Sequence, residues 1–231
     1  MPYQNTLPAA GERTVTVPLE AFEAVGTLAW PEHPCALVLL AQGRVDRPGP
    51  VERDVARELR HGGLATLHLD LLPRAEGSRR GGELEILAAR VLAAARWTRE
   101  QPELEELNVG LLGIGTGAAA VLRAAGMSDR SIGAVVGLGG DPDLAGETLE
   151  TVRVPTLLIT AGGDHETLEP NRRAFRRLDC IKRLLVLDPA RRLDEPGMPA
   201  EAARRAAGWL VEYLAMEPRW RRKEERCGVG V

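Results

Sequence analysis

The residues best able to carry chemistry are gathered in residues 109–126 (VGLLGIGTGAAAVLRAAG), an apolar run that breaks on three closely spaced glycines and restarts as an alanine-rich helix. Strand, sharp turn and helix in that order place the turn at the carboxyl end of a strand, where open α/β sheets hold ligands and nucleophiles. The turn, Gly113-Ile114-Gly115-Thr116-Gly117, fits a G-x-S-x-G frame with glycine in the serine position. Hydrolysis by such a turn needs a nucleophile, a base that takes its proton and an acid that orients the base. Thr116 is the one hydroxyl in the turn. Its position suits a backbone N–H donor and a helix cap better than a nucleophile.

Histidine is the natural base near neutral pH, and the chain has four. His165 adjoins Asp164, but adjacent residues do not easily face each other. His61 falls near a helix end, His68 inside a strand and His33 in a surface turn, so all four read as structural or solvated. The glycine turn also satisfies G-x-G-x-x-A through Gly113, Gly115 and Ala118, with Asp141 at the end of the next strand, which makes a dinucleotide site the formal rival. Such a site normally follows the first strand of its fold, whereas several strands precede this one. Cys35, Cys180 and Cys227 are odd in number and widely spaced, so neither a disulfide framework nor a zinc site is expected. Cys35 opens an apolar strand and reads as a buried small hydrophobe.

Alternating elements must position these residues. Residues 13–18 (RTVTVP) and 24–30 (AVGTLAW) predict an opening antiparallel pair. Residues 35–41 (CALVLLA) form a continuous apolar run, the pattern of a strand buried on both faces. After Gln42-Gly43-Arg44, Val51, Val55 and Leu59 recur at helical spacing behind a Pro-Gly-Pro entry, and Gly62-Gly63 closes that helix. A strand at 64–70 (LATLHLD) leads into an Arg/Gly-rich loop, expected to be exposed and mobile, and then into a long helix marked by Leu84, Leu87, Val91 and Ala95. Beyond the glycine turn, residues 132–138, 156–160 and 183–187 predict buried strands, with a helix over 171–178. The closing helix carries Ala202, Ala206, Trp209 and Tyr213 along one stripe, with Leu210 and Leu214 beside it. Strands alternating with helices make a mostly parallel sheet covered on both faces.

Composition narrows the class. The chain has 231 residues, 44% hydrophobic and 27% charged, with no linker-like stretch, which predicts one α/β domain over 1–231 with flexible ends at 1–12 and 218–231. Only 3% of residues are aromatic, so the core must be aliphatic. A net charge of -3 argues against nucleic acid as partner. Without a leader-like start or an apolar stretch of roughly 18 residues, no membrane partner is expected and the cytoplasm is the expected setting. The basic residues at 219–225 (RWRRKEE) end in two glutamates and read as a solvated helical end.

Several motifs together resemble the α/β-hydrolase fold and, within it, the small, lidless dienelactone-hydrolase-like family. They are the small-residue elbow with TGAAAVL at 116–122, PDLAG at 142–146, VPTLLI at 154–159, NRRA at 171–174 and EPG at 195–197. The resemblance covers nearly the whole chain. It implies that Asp164 holds the triad acid position, that Gly115 stands in the nucleophile slot and that Arg191 or Arg192, with Arg191 preferred, stands in the histidine slot. It also places Gln42 and Gly43 at the end of the oxyanion strand, followed by Arg44. The expected ligand-binding set is Gln42, Gly43, Arg44 and Thr116, with no metal and no cofactor.

Three functions stay open on this reading. The leading one is a member with a degenerate triad that binds a small ligand, an anionic one by preference, or performs non-hydrolytic chemistry. Its charge comes from the arginines and from the positive end of the helix after the elbow. The second is an active hydrolase of small esters or lactones with an unorthodox site. The third is a structural partner subunit. A homodimer is the only protein partner expected.

Overall fold

The longest apolar runs become the middle of a sheet because only there are both faces of a strand covered. The computed structural model describes residues 7, 9–19, 22–42, 49–72, 82–128, 131–189 and 191–215. Its strands are β1 (Gly11–Leu19), β2 (Phe22–Trp30), β3 (Ala36–Gln42), β4 (Leu64–Leu69), β5 (Val109–Ile114), β6 (Ala134–Leu138), β7 (Thr156–Ala161) and β8 (Lys182–Leu187). They form one eight-stranded sheet in the order β1-β2-β4-β3-β5-β6-β7-β8. The β1/β2 and β2/β4 pairs are antiparallel and the remaining pairs parallel, as the opening hairpin and the later alternation predict.

From β3 the chain moves outward to β4 and then returns across β3 to β5, after which it winds the opposite way. The carboxyl ends of β3 and β5 therefore flank the topological switch point, the place where such sheets bind ligands. Gln42 ends β3 beside Ile114 of β5, so the glycine turn lies in that crevice.

Neighbouring residues of one strand face opposite layers, and each layer is a core. On one face α1 (Pro50–His61) and α5 (Met198–Leu214) cover Val38, Leu40, Leu112, Val136 and Ile159. On the other, α2 (Glu83–Thr98), α3 (Gly117–Gly126) and α4 (His165–Arg177) cover Leu37, Leu39, Leu111, Val135 and Leu158. Each such leucine contributes roughly 1.5–3 kcal/mol by burial. The alanines of α3 are buried almost without exception, which lets the helix lie close on the sheet. The closeness is visible at Gly117, where an added Cβ would sit 2.2 Å from the Ala41 carbonyl oxygen.

Several local expectations change. The buried face of α5 is Ala202, Ala203, Ala206, Ala207, Leu210 and Leu214. Trp209 and Tyr213 lie partly buried beside it, packed on the same core, with ring centroids 4.5 Å apart and planes tilted by 51°. Helix α4 starts at His165, six residues earlier than the sequence suggests, since Pro170 breaks the helical pattern without ending the helix. The segment Pro142–Thr151 winds as two short 3-10 turns that kink at Gly146 (φ 64), the first capped by Asp141, whose carboxylate accepts from the Asp143 N–H at 3.2 Å. Cys35 is exposed, lying one residue before β3 with its Sγ donating to the Gly63 carbonyl. The chain is packed well before residue 13: Leu7 is buried and the Trp30 Nε1–H donates to the Ala9 carbonyl. The Arg/Gly-rich loop and the end at 218–231 lie outside the described residues.

Candidate ligand cleft at the glycine turn

The turn after β5 is built by backbone contacts that exclude side chains at some positions and leave one open. A Cβ on Gly113 would meet the Gly117 carbonyl oxygen at 2.2 Å, so strand and helix touch directly there. Gly115 has φ 58, its N–H donates to the Leu138 carbonyl at 3.0 Å and its carbonyl accepts from the Ala118 N–H at 3.1 Å. A Cβ on Gly115 would meet nothing within 4 Å. The backbone is bent as a nucleophile turn is bent, and the side-chain space is open. Thr116 is already helical (φ -64, ψ -23), is exposed and makes no side-chain cap, so the expected cap is absent, and it is not among the residues lining the cleft.

Above Gly115 lies a cavity of about 240 Å³. Its apolar wall is Val51, Ile114, Leu138, Leu193 and Pro199, and its floor is Gly115 with Gly139 and Gly140, the turn that follows β6. Both of those glycines have positive φ, 63 and 65. Four charged residues complete the lining: Glu52 from the first turn of α1, Asp164 after β7, and Arg192 and Asp194 from the loop before α5.

Asp164 is 8% exposed, and Arg192 reaches it with Nη1 3.7 Å from Oδ1 while its Nε lies 3.4 Å from Asp194. The neighbouring Arg191 does not line the cleft. Its Nε donates to Glu195 at 3.0 Å and its Nη2 to the Pro196 carbonyl at 2.7 Å, so the guanidinium is held in the loop. Glu195 also accepts from the Arg192 N–H at 2.8 Å. That backbone bond, with the Arg191 side chain, holds its carboxyl below the usual range. Of the two arginines the resemblance offers for the histidine slot, Arg192 is the one beside Asp164, while Glu195 and the Pro196 carbonyl hold Arg191 in the loop.

Gln42 is half-buried at the end of β3, and its Oε1 is buried without a hydrogen-bond partner. Gly43 and Arg44 lie outside the described residues. His68 sits on β4 beside Leu40, its Nε2 also buried without a partner. Burial pushes the His68 imidazole down from its ordinary pKa, against a smaller pull upward from Glu52 and Asp70. His33, His61 and His165 are exposed. Among the described residues no group of three or more His, Cys, Asp or Glu side chains could hold a metal, and no helix is long and apolar enough to cross a membrane.

Sequence reasoning missed Glu52, the Gly139-Gly140 turn, Leu193 and Asp194. The glycine pair carried a usable signal, since it follows a buried strand adjacent to β5. Glu52 carried a weaker one, being an acidic residue in the first turn of the helix entered from β3.

A dienelactone hydrolase from Anabaena variabilis superposes with a TM-score of 0.83 and 34% identity, covering 90% of this chain and all of that one. The chain belongs to the dienelactone hydrolase family. More distant members of the same fold include an esterase domain from Rhodothermus marinus (TM-score 0.71, 20% identity, 88% of this chain and 99% of that one). A dienelactone hydrolase-like promiscuous phosphotriesterase from metagenomic libraries also matches (TM-score 0.67, 20% identity, 90% of this chain and all of that one). No family model matches the sequence. Two Mycobacterium tuberculosis proteins, from strains CDC 1551 and H37Rv and provisionally named phosphoribosyl transferases, are 37% identical over 211 residues, 90% of this chain and 48% of each of theirs. The chain spans about half the length of these curated relatives. The glycine turn follows β5 rather than the first strand of the sheet, and the Asp141 carboxylate caps the segment after β6.

Proposed function

We propose that this chain keeps the family cleft as a binding site for a small ligand with one anionic group and does not use it for serine hydrolysis. The observation that carries this reading is the pairing of a side-chain-free turn residue, Gly115, with a guanidinium beside Asp164. Residue 115 has no oxygen to attack a carbonyl, and a guanidinium does not accept a proton near neutral pH. Gly115, Asp164 and Arg192 then stand in the nucleophile, acid and histidine slots of a degenerate triad.

Binding remains within the cleft's means. The Ala118 N–H is taken by the Gly115 carbonyl, and the other N–H groups of the first turn of α3 form the positive end of the helix, which favours an anion on the glycine floor. Arg192 adds a mobile charge. Its pair with Asp194 is long and exposed on both sides, and such a pair is worth about 0–1 kcal/mol, so a ligand carboxylate or phosphate can replace it. Glu52 on the opposite wall disfavours a second negative group. A volume of about 240 Å³ lies below the roughly 300–1,000 Å³ of drug-sized sites and so calls for a small ligand. The open cavity also weighs against a purely structural subunit.

Glu52 favours one second reading, hydrolysis of small esters or lactones by a water that its carboxylate activates. The transferase activity in the name of the mycobacterial relatives belongs, on our reading, to the half of those proteins that this chain does not span. A cytoplasmic setting goes with both readings.

The deciding experiment is thermal melting with millimolar acetate or phosphate at fixed ionic strength, together with p-nitrophenyl acetate turnover. At ten times its Kd a ligand adds about 1.4 kcal/mol, or roughly 3–6 °C for a chain of this size. That rise is expected in the wild type and should largely vanish in Arg192→Ala, with no ester turnover. Equal shifts in both proteins, or robust turnover, would overturn the proposal.

A further inference from the structure

We infer that Asn171 is a positioning residue of the cleft: its side-chain amide, buried in α4, holds the Gly139-Gly140 turn against the Gly115 carbonyl and so fixes the glycine floor. The inference needs only the cleft, whatever the cleft binds. Asn171 is fully buried, and its Nδ2 donates to the Gly140 carbonyl at 3.2 Å and to the Thr167 carbonyl at 2.8 Å. Its Oδ1 is buried with no partner.

The turn that Asn171 holds lies directly on the glycine elbow. A Cβ on Gly140 would fall 1.9 Å from the Gly115 oxygen, so the two peptides are in contact, and only glycine at φ 65 permits it. Gly139 is pinned from the other side, its N–H donating to the Ile159 carbonyl of β7 at 2.8 Å, and its Cα faces the Leu193 side chain that lines the cleft. Asn171 supplies the remaining restraint on the Gly140 peptide.

The anchor is itself anchored. Arg173 donates to the Asp143 carboxylate at 2.8 Å, Arg177 lies 3.6 Å from the same group, and Ala174 is fully buried. The NRRA and PDLAG segments, separate signatures in the sequence, therefore meet. Asn171 grips the chain just before PDLAG, and Arg173 grips Asp143 within it.

Energetics separate positioning from space-filling. A buried amide with an unpaired oxygen carries a desolvation cost, whereas an apolar side chain of the same shape would fill the volume without it. What asparagine provides and leucine does not is the hydrogen bond to Gly140.

The test uses the full-length, ¹⁵N-labelled protein with Asn171→Leu, and with Asn171→Ala as a second variant that introduces no bulk. Amide shifts and hydrogen exchange are read at Gly115, Gly139 and Gly140 against the amides of β3. Local opening that becomes easier by one decade should speed exchange ~10-fold at Gly115 and Gly139 in both variants, with β3 unchanged. Unaltered shifts and exchange at these glycines, with stability equal to or above wild type in Asn171→Leu, would mean that the side chain only fills space. Uniform acceleration across the sheet would also overturn the inference, assigning Asn171 to global stability. Failure of acetate or phosphate to bind the wild type bears on the ligand alone and leaves these readouts intact.

Discussion

Gly115 and Gly117 are two residues apart and should answer the same substitution in opposite ways. An alanine at 115 meets open space and carries only the cost of a left-handed backbone, roughly 1–2 kcal/mol. At 117 the new methyl would lie 2.2 Å from the Ala41 oxygen, and neither β3 nor α3 can yield without disturbing its core. Urea unfolding should therefore show a modest loss for Gly115→Ala and a loss of more than about 3 kcal/mol for Gly117→Ala, above the usual range for a point change. The reverse order would mean that the elbow is packed differently. The open space at 115 also makes it the place to restore an oxygen. Gly115→Ser alone should leave p-nitrophenyl acetate turnover at background, because triad members act as a unit. Gly115→Ser with Arg192→His should recover measurable turnover, since 192 rather than 191 stands beside Asp164. Equal recovery through Arg191→His would contradict the side-chain placement.

At the scale of elements, the strands were legible because runs such as residues 35–41 are apolar at every position, and only a doubly covered strand has that pattern. The glycine turn was legible for the same reason: three glycines between a buried strand and an alanine-rich helix leave few alternatives. What stayed hidden depends on single contacts. Which of two adjacent arginines faces the cleft is decided by Glu195, four residues from one and three from the other. The start of α4 was masked by Pro170, and Glu52 reaches the cleft only because α1 begins beside the switch point. His68 shows a consequence that no strand pattern reveals. Burial lowers its pKa below the ordinary value of 6.5, so the unfolded chain takes up the proton more readily than the folded one. Its contribution to stability is thus complete above about pH 6.5 and is lost as pH falls below it, with a slope of at most about 1.4 kcal/mol per pH unit. Glu103 and Glu195, whose pKa values are lowered from 4.5, titrate below that window. Between about pH 7 and about pH 5 the wild type should lose more urea resistance than His68→Leu. Parallel losses in the two proteins would show that His68 is protonated as easily folded as unfolded.

At the scale of the whole molecule, the cleft is floored by β5 and β6 and walled by α1 from one layer and the loops before α4 and α5. Its apolar lining, Val51, Ile114, Leu138 and Leu193, belongs to the core under α1 and α5, and the sheet that floors it joins that core to the one under α2, α3 and α4. Leu111 and Leu112 provide a matched pair to test that connection: they are neighbours on β5, both fully buried, and they face opposite cores. Each should lose about 2–5 kcal/mol when cut to alanine, by lost transfer energy and the cavity left behind. If the sheet couples the two layers, both variants unfold in one transition, and far-UV circular dichroism should coincide with tryptophan fluorescence. Trp30 reports from one core and Trp209 from the edge of the other, so the fluorescence samples both sides. If the layers were separable, Leu112→Ala would release α1 and α5 first, and the two signals would part, with the Trp209 change preceding the loss of the sheet. The expected outcome is coincidence. A strand buried on both faces cannot shed one layer without exposing apolar surface of its own, and β3, β5, β6 and β7 all stand in that position.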